Sequence, residues 1–91
     1  MASVNIDSLF VFFGWVGAIS FILAYFLLSI NKLTANSLIY QILNVIGGLC
    51  LTLNALNLND APALITNAVW MFIGLFATLK IIRDKVQAKN T

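Results

Sequence analysis

The segment from Leu9 to Ile30 constrains the fold most, because it contains no charged residue. The hydrocarbon core of a bilayer is about 30 Å thick, and about 20 residues of helix are needed to cross it. Two more segments of this kind follow, and short polar connections separate the three. The sequence therefore predicts an all-α bundle of three transmembrane helices in one integral membrane domain, with the helices at about 9–30, 37–56 and 61–83 of the chain 1–91.

The composition also indicates insertion into a lipid bilayer. Of the 91 residues, 62% are hydrophobic and only 9% are charged, whereas soluble domains carry about 25% charged residues. Three spans use nearly the whole chain, so we expect no additional soluble domain.

Polar residues at the ends of the apolar segments predict where the helices begin and end. Asp7 or Ser8 is placed to cap the first helix, and the second is expected to start near Ser37. Asp60 is placed to cap the third helix, with a proline following in its first turn. The polar, basic tail 82–91 is expected to fray into solvent.

The distribution of basic residues predicts the orientation in the membrane. Only Asp7 and Asp60 carry charge at the amino terminus and in the second loop. By the positive-inside rule, the amino terminus lies outside and the carboxyl terminus in the cytoplasm. Because the basic residues flank apolar segments, the net charge of +2 does not indicate a nucleic-acid partner. These residues are Lys32, Lys80, Arg83, Lys85 and Lys89.

The chain contains few groups that support covalent chemistry. It has no histidine and no glutamate, and its three aspartates lie at or beyond the ends of the spans. Neither Ser20 nor Ser29 has a base to activate it, and Cys50 is the only cysteine. We therefore expect no enzymatic activity, no cofactor, no metal site and no proton-coupled transport.

Amides interrupt the second and third apolar segments. At 100° per residue, Tyr40, Asn44 and Asn54 fall on one face of the second helix. That face is too polar for lipid, so it must face protein or a water-filled cavity. On the third helix, Asn67 and Trp70 lie on one side. Amides of this kind bind a neutral polar solute or, alternatively, hold neighbouring helices together.

The five residues just named are the candidate contacts for a small uncharged solute: Asn67, Trp70, Asn44, Tyr40 and Asn54. Three helices packed 8–10 Å apart leave no channel between them, so one chain cannot enclose a solute path. Two copies related by a two-fold axis can do so, and a homodimer is therefore expected. In the first helix, Gly14 and Ala18 form a small-x-x-x-small pair that either packs against another helix or lines a pocket.

The segment 58–69, with Asp60, Pro62 and Asn67, resembles the loop and third-helix start of the SemiSWEET transporters, the bacterial half-size members of the SWEET and PQ-loop superfamily. The resemblance implies a dimer of three-helix chains with the amino terminus outside, which passes sugars and uses Asn67 as a solute-contacting amide. The chain lacks the Pro-Gln pair of the superfamily in its first helix, and Leu51 stands where SemiSWEETs have a tryptophan.

Four short motifs lie along the three predicted helices: Gly14-Trp15, Ala24-Tyr25, Tyr40-Gln-Ile-Leu-Asn44 and Asn67-Ala-Val-Trp70. In these motifs the sequence is more closely similar to an uncharacterised bacterial family of small three-helix proteins. The shared motifs imply no established activity. We expect a multi-pass protein of the bacterial inner (plasma) membrane that acts as a dimeric half-transporter for a small neutral solute. The alternative is a structural or accessory subunit of a membrane complex without transport activity.

Overall fold

A computed structural model describes residues 6–90 of the protein. It contains three α-helices, each long and apolar enough to cross a membrane. The expected all-α, three-helix membrane fold is confirmed, and the first two predicted spans differ from the observed helices by one to three residues at each end. The helices are α1 (Ile6–Ser29), α2 (Leu38–Asn57) and α3 (Ala61–Lys89).

The helix α2 is the central element of the bundle. Within residues 6–90, α1 and α3 both pack along α2 and make no close backbone contact with each other. Short loops make each neighbour antiparallel to α2. On the α1 side, Gly14 lies against Asn54 and Gly47 lies against Phe21. The flanking helices therefore meet only through α2, which leaves space between them.

Two adjacent glycines allow α2 to pack closely on both neighbours. A Cβ atom added to Gly47 would lie 2.8 Å from a ring carbon of Phe21 in α1. A Cβ atom added to Gly48 would lie 3.0 Å from the Cα atom of Met71 in α3. Gly17 of α1 faces Gly47, and its added Cβ atom would lie 2.9 Å from the Gly47 carbonyl oxygen. The absence of side chains at these positions permits backbones to approach, as in other packed membrane helices.

The start of α3 is the helix end that the sequence predicts correctly. A carboxylate oxygen of Asp60 accepts a hydrogen bond from the Ala63 N–H at 3.2 Å, and a proline occupies the first turn. The start of α2 is also close to its prediction near Ser37, whereas the start of α1 differs. Asp7 and Ser8 are both helical residues within the described part of α1, Ile6–Ser29, and neither precedes the helix as a cap, so that prediction is wrong.

The α1–α2 loop is fixed by its own hydrogen bonds. Ser37 precedes α2 but does not cap it with its side chain; its hydroxyl oxygen accepts the Thr34 N–H at 3.0 Å. Asn31 adopts a left-handed backbone conformation with φ of 63°, which asparagine tolerates better than most residues. These bonds hold a tight turn between α1 and α2.

The expectation that the tail frays from residue 82 is wrong, because α3 continues to Lys89. The segment after Ile82 contains no glycine or proline and is rich in helix-forming lysine, arginine and glutamine. Lysine in the last turn also interacts favourably with the helix dipole. With 29 residues, α3 is about 43 Å long, so its end extends beyond a hydrocarbon core of about 30 Å.

Candidate functional site

A cavity of about 230 Å³ lies where all three helices come together, and it is open on one side. The central helix supplies an amide and a tyrosine, and the flanking helices supply aromatic side chains on either side. This site is called the midplane cavity below. Its lining residues are Phe21 and Tyr25 of α1, Tyr40 and Asn44 of α2, and Trp70 of α3.

The midplane cavity contains three of the five residues predicted from the sequence, namely Tyr40, Asn44 and Trp70. Phe21 and Tyr25 were not predicted as solute contacts. They share a helix face with the small residues of α1, a pattern that indicates packing as readily as a binding surface. The sequence feature that could have identified them is the presence of aromatic side chains on the α1 face that carries the small residues.

Asn44 lies deep in the membrane-spanning part of the bundle. The midpoint of α2 falls between Gly47 and Gly48, and Asn44 is about 5 Å from it at 1.5 Å rise per residue. In a bilayer centred on the midpoint of α2, the side chain of Asn44 would therefore lie within the hydrocarbon layer. Lipid offers no hydrogen-bonding group at this depth, and each unsatisfied polar group there costs several kcal/mol.

Within residues 6–90, neither the side-chain amide of Asn44 nor the hydroxyl of Tyr40 forms a hydrogen bond. Both side chains are only partly buried, because the midplane cavity leaves them accessible. Each therefore needs a partner from water, a solute or another chain. This unsatisfied hydrogen-bonding capacity distinguishes the site from an apolar gap between helices.

Several hydroxyl side chains in the spans are satisfied inside their own helix. The hydroxyls of Ser20, Thr52 and Thr78 donate to the carbonyl oxygen four residues earlier at 2.8, 2.6 and 2.7 Å. Among the described residues, no side-chain hydrogen bond joins two of the three helices. Glycine contacts and apolar packing, not polar bonds, hold this chain together.

Asn67 also bonds within its own helix. Its Nδ2 atom donates to the carbonyl oxygen of Ala63 at 2.9 Å. Although Asn67 lies one turn from Trp70, it is not among the residues that line the midplane cavity. The structure thus separates the two predicted contacts on α3.

Asn54 lies near the other end of α2, in a different environment. It lies against Gly14, whose added Cβ atom would be 2.9 Å from the Asn54 side-chain carbon Cγ. A separate cavity of about 320 Å³ is lined there by Asn54, Gly14, Ala18 and Trp15, among others. The small residues of α1 therefore both pack against α2 and line this separate cavity. Asn54 is about 15 Å along α2 from Asn44.

The midplane cavity contains no charged group. Within residues 6–90, no three histidine, cysteine, aspartate or glutamate side chains lie close enough to hold a metal ion. What the site offers is one amide, two phenolic hydroxyls, an indole N–H and aromatic faces. Groups of this kind form hydrogen bonds and stacking contacts and carry no charge.

Comparison with known proteins places the chain in a family. No curated protein and no solved structure gives a significant match to it. A protein-family profile matches residues 10–85, which includes most of all three helices and both loops. Because this match covers most of the sequence, the chain belongs to the matched family, an uncharacterised bacterial one.

Proposed function

We propose that the protein forms a symmetric homodimer in the bacterial inner membrane and allows facilitated passage of a small neutral solute. The observation that carries the proposal is the unsatisfied amide of Asn44, placed beside the Tyr40 hydroxyl and aromatic rings at membrane depth. A polar group left without a protein partner in the hydrocarbon layer is costly unless it binds water or solute. The midplane cavity is where that binding is proposed to occur.

The chemistry of the cavity defines the class of solute. Asn44 offers two N–H donors and a carbonyl acceptor, and Trp70 offers an aromatic face and an N–H donor. No charged side chain lines the cavity, so an ion would lose its hydration without compensation. The volume of about 230 Å³ lies below the roughly 300–1,000 Å³ of drug-sized sites, which favours a small solute.

The proposed dimer completes the cavity. In a single chain the site is open on one side, and within residues 6–90 the flanking helices α1 and α3 do not contact each other. A second copy across a two-fold axis would bring two such sites to a shared path, in keeping with the preference of oligomers for two-fold symmetry. The resemblance to SemiSWEET transporters supports the same assembly, with the amino terminus outside.

In this proposal Tyr40, Asn44 and Trp70 are the main solute contacts, with Phe21 and Tyr25 as further stacking surfaces. Asn54 would line the path nearer the opposite end of α2. Asn67 remains a predicted contact through the resemblance, but its bond to the Ala63 carbonyl oxygen supports a smaller contribution.

Flux measurements on purified protein in liposomes test the proposal. Radiolabelled uncharged solutes, including polyols, amides and monosaccharides, would be presented to protein-containing and empty vesicles. We expect saturable uptake of at least one solute, and about fiftyfold lower uptake for the double variant Asn44→Ala/Trp70→Ala, because a lost hydrogen bond and a lost stacking contact together cost about 2.4 kcal/mol. Equal reconstitution of both proteins is the control.

The accessory-subunit hypothesis predicts a different result in the same experiment. It requires that no neutral solute shows saturable uptake although the protein is correctly inserted. It also requires that a partner protein co-purifies in stoichiometric amount. That combination would overturn the transport proposal.

A further inference from the structure

A second and larger cavity, of about 610 Å³, lies at the basic end of the bundle. One wall is the later part of α3, including Phe76, Lys80 and Lys85. The opposite wall is the α1–α2 loop at Ala35, together with Gln41 from the first turn of α2. This space, called the basic-end cavity below, plays no part in the proposed solute path.

The loop wall of the basic-end cavity is held in place by a buried side chain. Gln41 is only 8% exposed, and its Nε2 atom donates to the Ala35 carbonyl oxygen at 2.8 Å. The loop is thereby anchored to α2. A wall fixed in this way provides a defined shape opposite α3.

The charges around the basic-end cavity are unbalanced. Lys80 and Lys85 are the basic residues among its lining, and Asp84 is the acidic one. Asp84 is engaged by its neighbour, because its carboxylate lies 3.5 Å from a guanidinium nitrogen of Arg83. The two lysine ammonium groups therefore outnumber the carboxylates that line the cavity. This excess of positive charge favours binding of an anion.

The depth of the basic-end cavity corresponds to the edge of the hydrocarbon layer. Gly74 packs beside Val45 and Asn44, the latter about 5 Å from the α2 midpoint. Lys80 follows Gly74 by six residues, or about 9 Å, which places it about 14 Å from the midplane of a core about 30 Å thick. Phe76 lies deeper and Lys85 farther out, so the wall changes from apolar to cationic along α3.

We propose that the basic-end cavity binds the headgroup of an anionic phospholipid from the leaflet at this end of the bundle. The headgroup phosphate would accept hydrogen bonds from the ammonium groups of Lys80 and Lys85, while the glycerol region lies against Phe76. The positive-inside orientation assigns this end to the cytoplasmic leaflet, where anionic lipids are enriched and basic pockets between helices bind their headgroups.

Lipid titration of the purified full-length protein in detergent micelles tests this proposal without any solute flux. The rise in thermal unfolding midpoint would be measured with phosphatidylglycerol and with phosphatidylcholine. We expect phosphatidylglycerol to bind more tightly, and Lys80→Gln or Lys85→Gln to weaken its binding about fivefold each. Lys80→Arg should retain binding, and Asp84→Asn should strengthen it.

Lys89→Gln is the matched control, because it removes the same charge from the same helix outside the basic-end cavity. Weakening by Lys89→Gln equal to that by Lys80→Gln would show diffuse surface attraction and overturn the proposal. Equal binding of the two lipids would do the same. Displacement of phosphatidylglycerol by millimolar inorganic phosphate, with equal stabilisation by phosphate alone, would assign the site to free phosphate instead of lipid.

Discussion

Replacement of Gly48 by alanine is expected to destabilise the bundle by about 2 kcal/mol, within the usual range for overpacking. The added Cβ atom would lie 2.9 Å from the Cβ atom of Met71 and 3.0 Å from its Cα and N atoms. A backbone cannot rotate away as a side chain can, so α3 would have to separate from α2. Gly17→Ala is expected to act similarly on α1, because its Cβ atom would meet the Gly47 carbonyl oxygen.

Gly74→Ala is the matched control for Gly48→Ala, since both glycines are buried at the α2–α3 contact. The nearest atom to an added Cβ atom at Gly74 is a methyl carbon of Val45 at 3.0 Å, and the nearest backbone atom is 3.5 Å away. A small side-chain adjustment relieves this contact. Unfolding in detergent should rank Gly74→Ala well above Gly48→Ala in stability; equal stability would argue against close backbone packing at Gly48.

The second large effect is expected on solute uptake, which Asn44→Leu should reduce much more than Asn67→Leu. Both changes replace an amide by an apolar side chain of similar size in a membrane helix. Asn44 faces the midplane cavity without a described protein partner, whereas Asn67 bonds to the Ala63 carbonyl oxygen. We expect Asn44→Leu to reduce uptake about tenfold, as loss of a solute hydrogen bond of about 1.4 kcal/mol would.

Asn67→Leu is expected to change uptake by less than about threefold, because its amide bonds within its own helix and does not line the midplane cavity. Initial rates in liposomes at matched protein content provide the comparison. A loss with Asn67→Leu that equals or exceeds the loss with Asn44→Leu would transfer the main solute contact to Asn67.

The sequence predicts the number of helices and nearly all of their limits because bilayer crossing imposes a length and excludes charge. The error at the end of α3 has a physical cause. Hydropathy marks where the chain leaves the hydrocarbon layer, near Arg83, but helix propensity decides where the helix stops, at Lys89. The two boundaries coincide only when a helix-breaking residue follows the span.

Helical periodicity predicts a shared face but not what covers it. Tyr40, Asn44 and Asn54 do lie along one side of α2, yet α1 covers the stretch between the two asparagines, where Gly47 meets Phe21. The face is therefore divided between two cavities. The bond of Asn67 to its own helix depends on a side-chain rotamer, which a sequence pattern does not specify.

The hydration of Asn44 is the central point on which the proposed function depends. Single cysteines at Asn44 or Ile46, in a Cys50→Ala background, place thiols about 3 Å apart in depth on different sides of α2. Ile46 lies on the outside of the bundle, 41% exposed.

A water-soluble maleimide reacts with the thiolate, which requires water. In membranes, we expect Asn44→Cys to be labelled at least about tenfold faster, because a thiolate is strongly disfavoured in dry hydrocarbon. Equal, slow labelling of both would show a dry seam at Asn44 and contradict a solute path there.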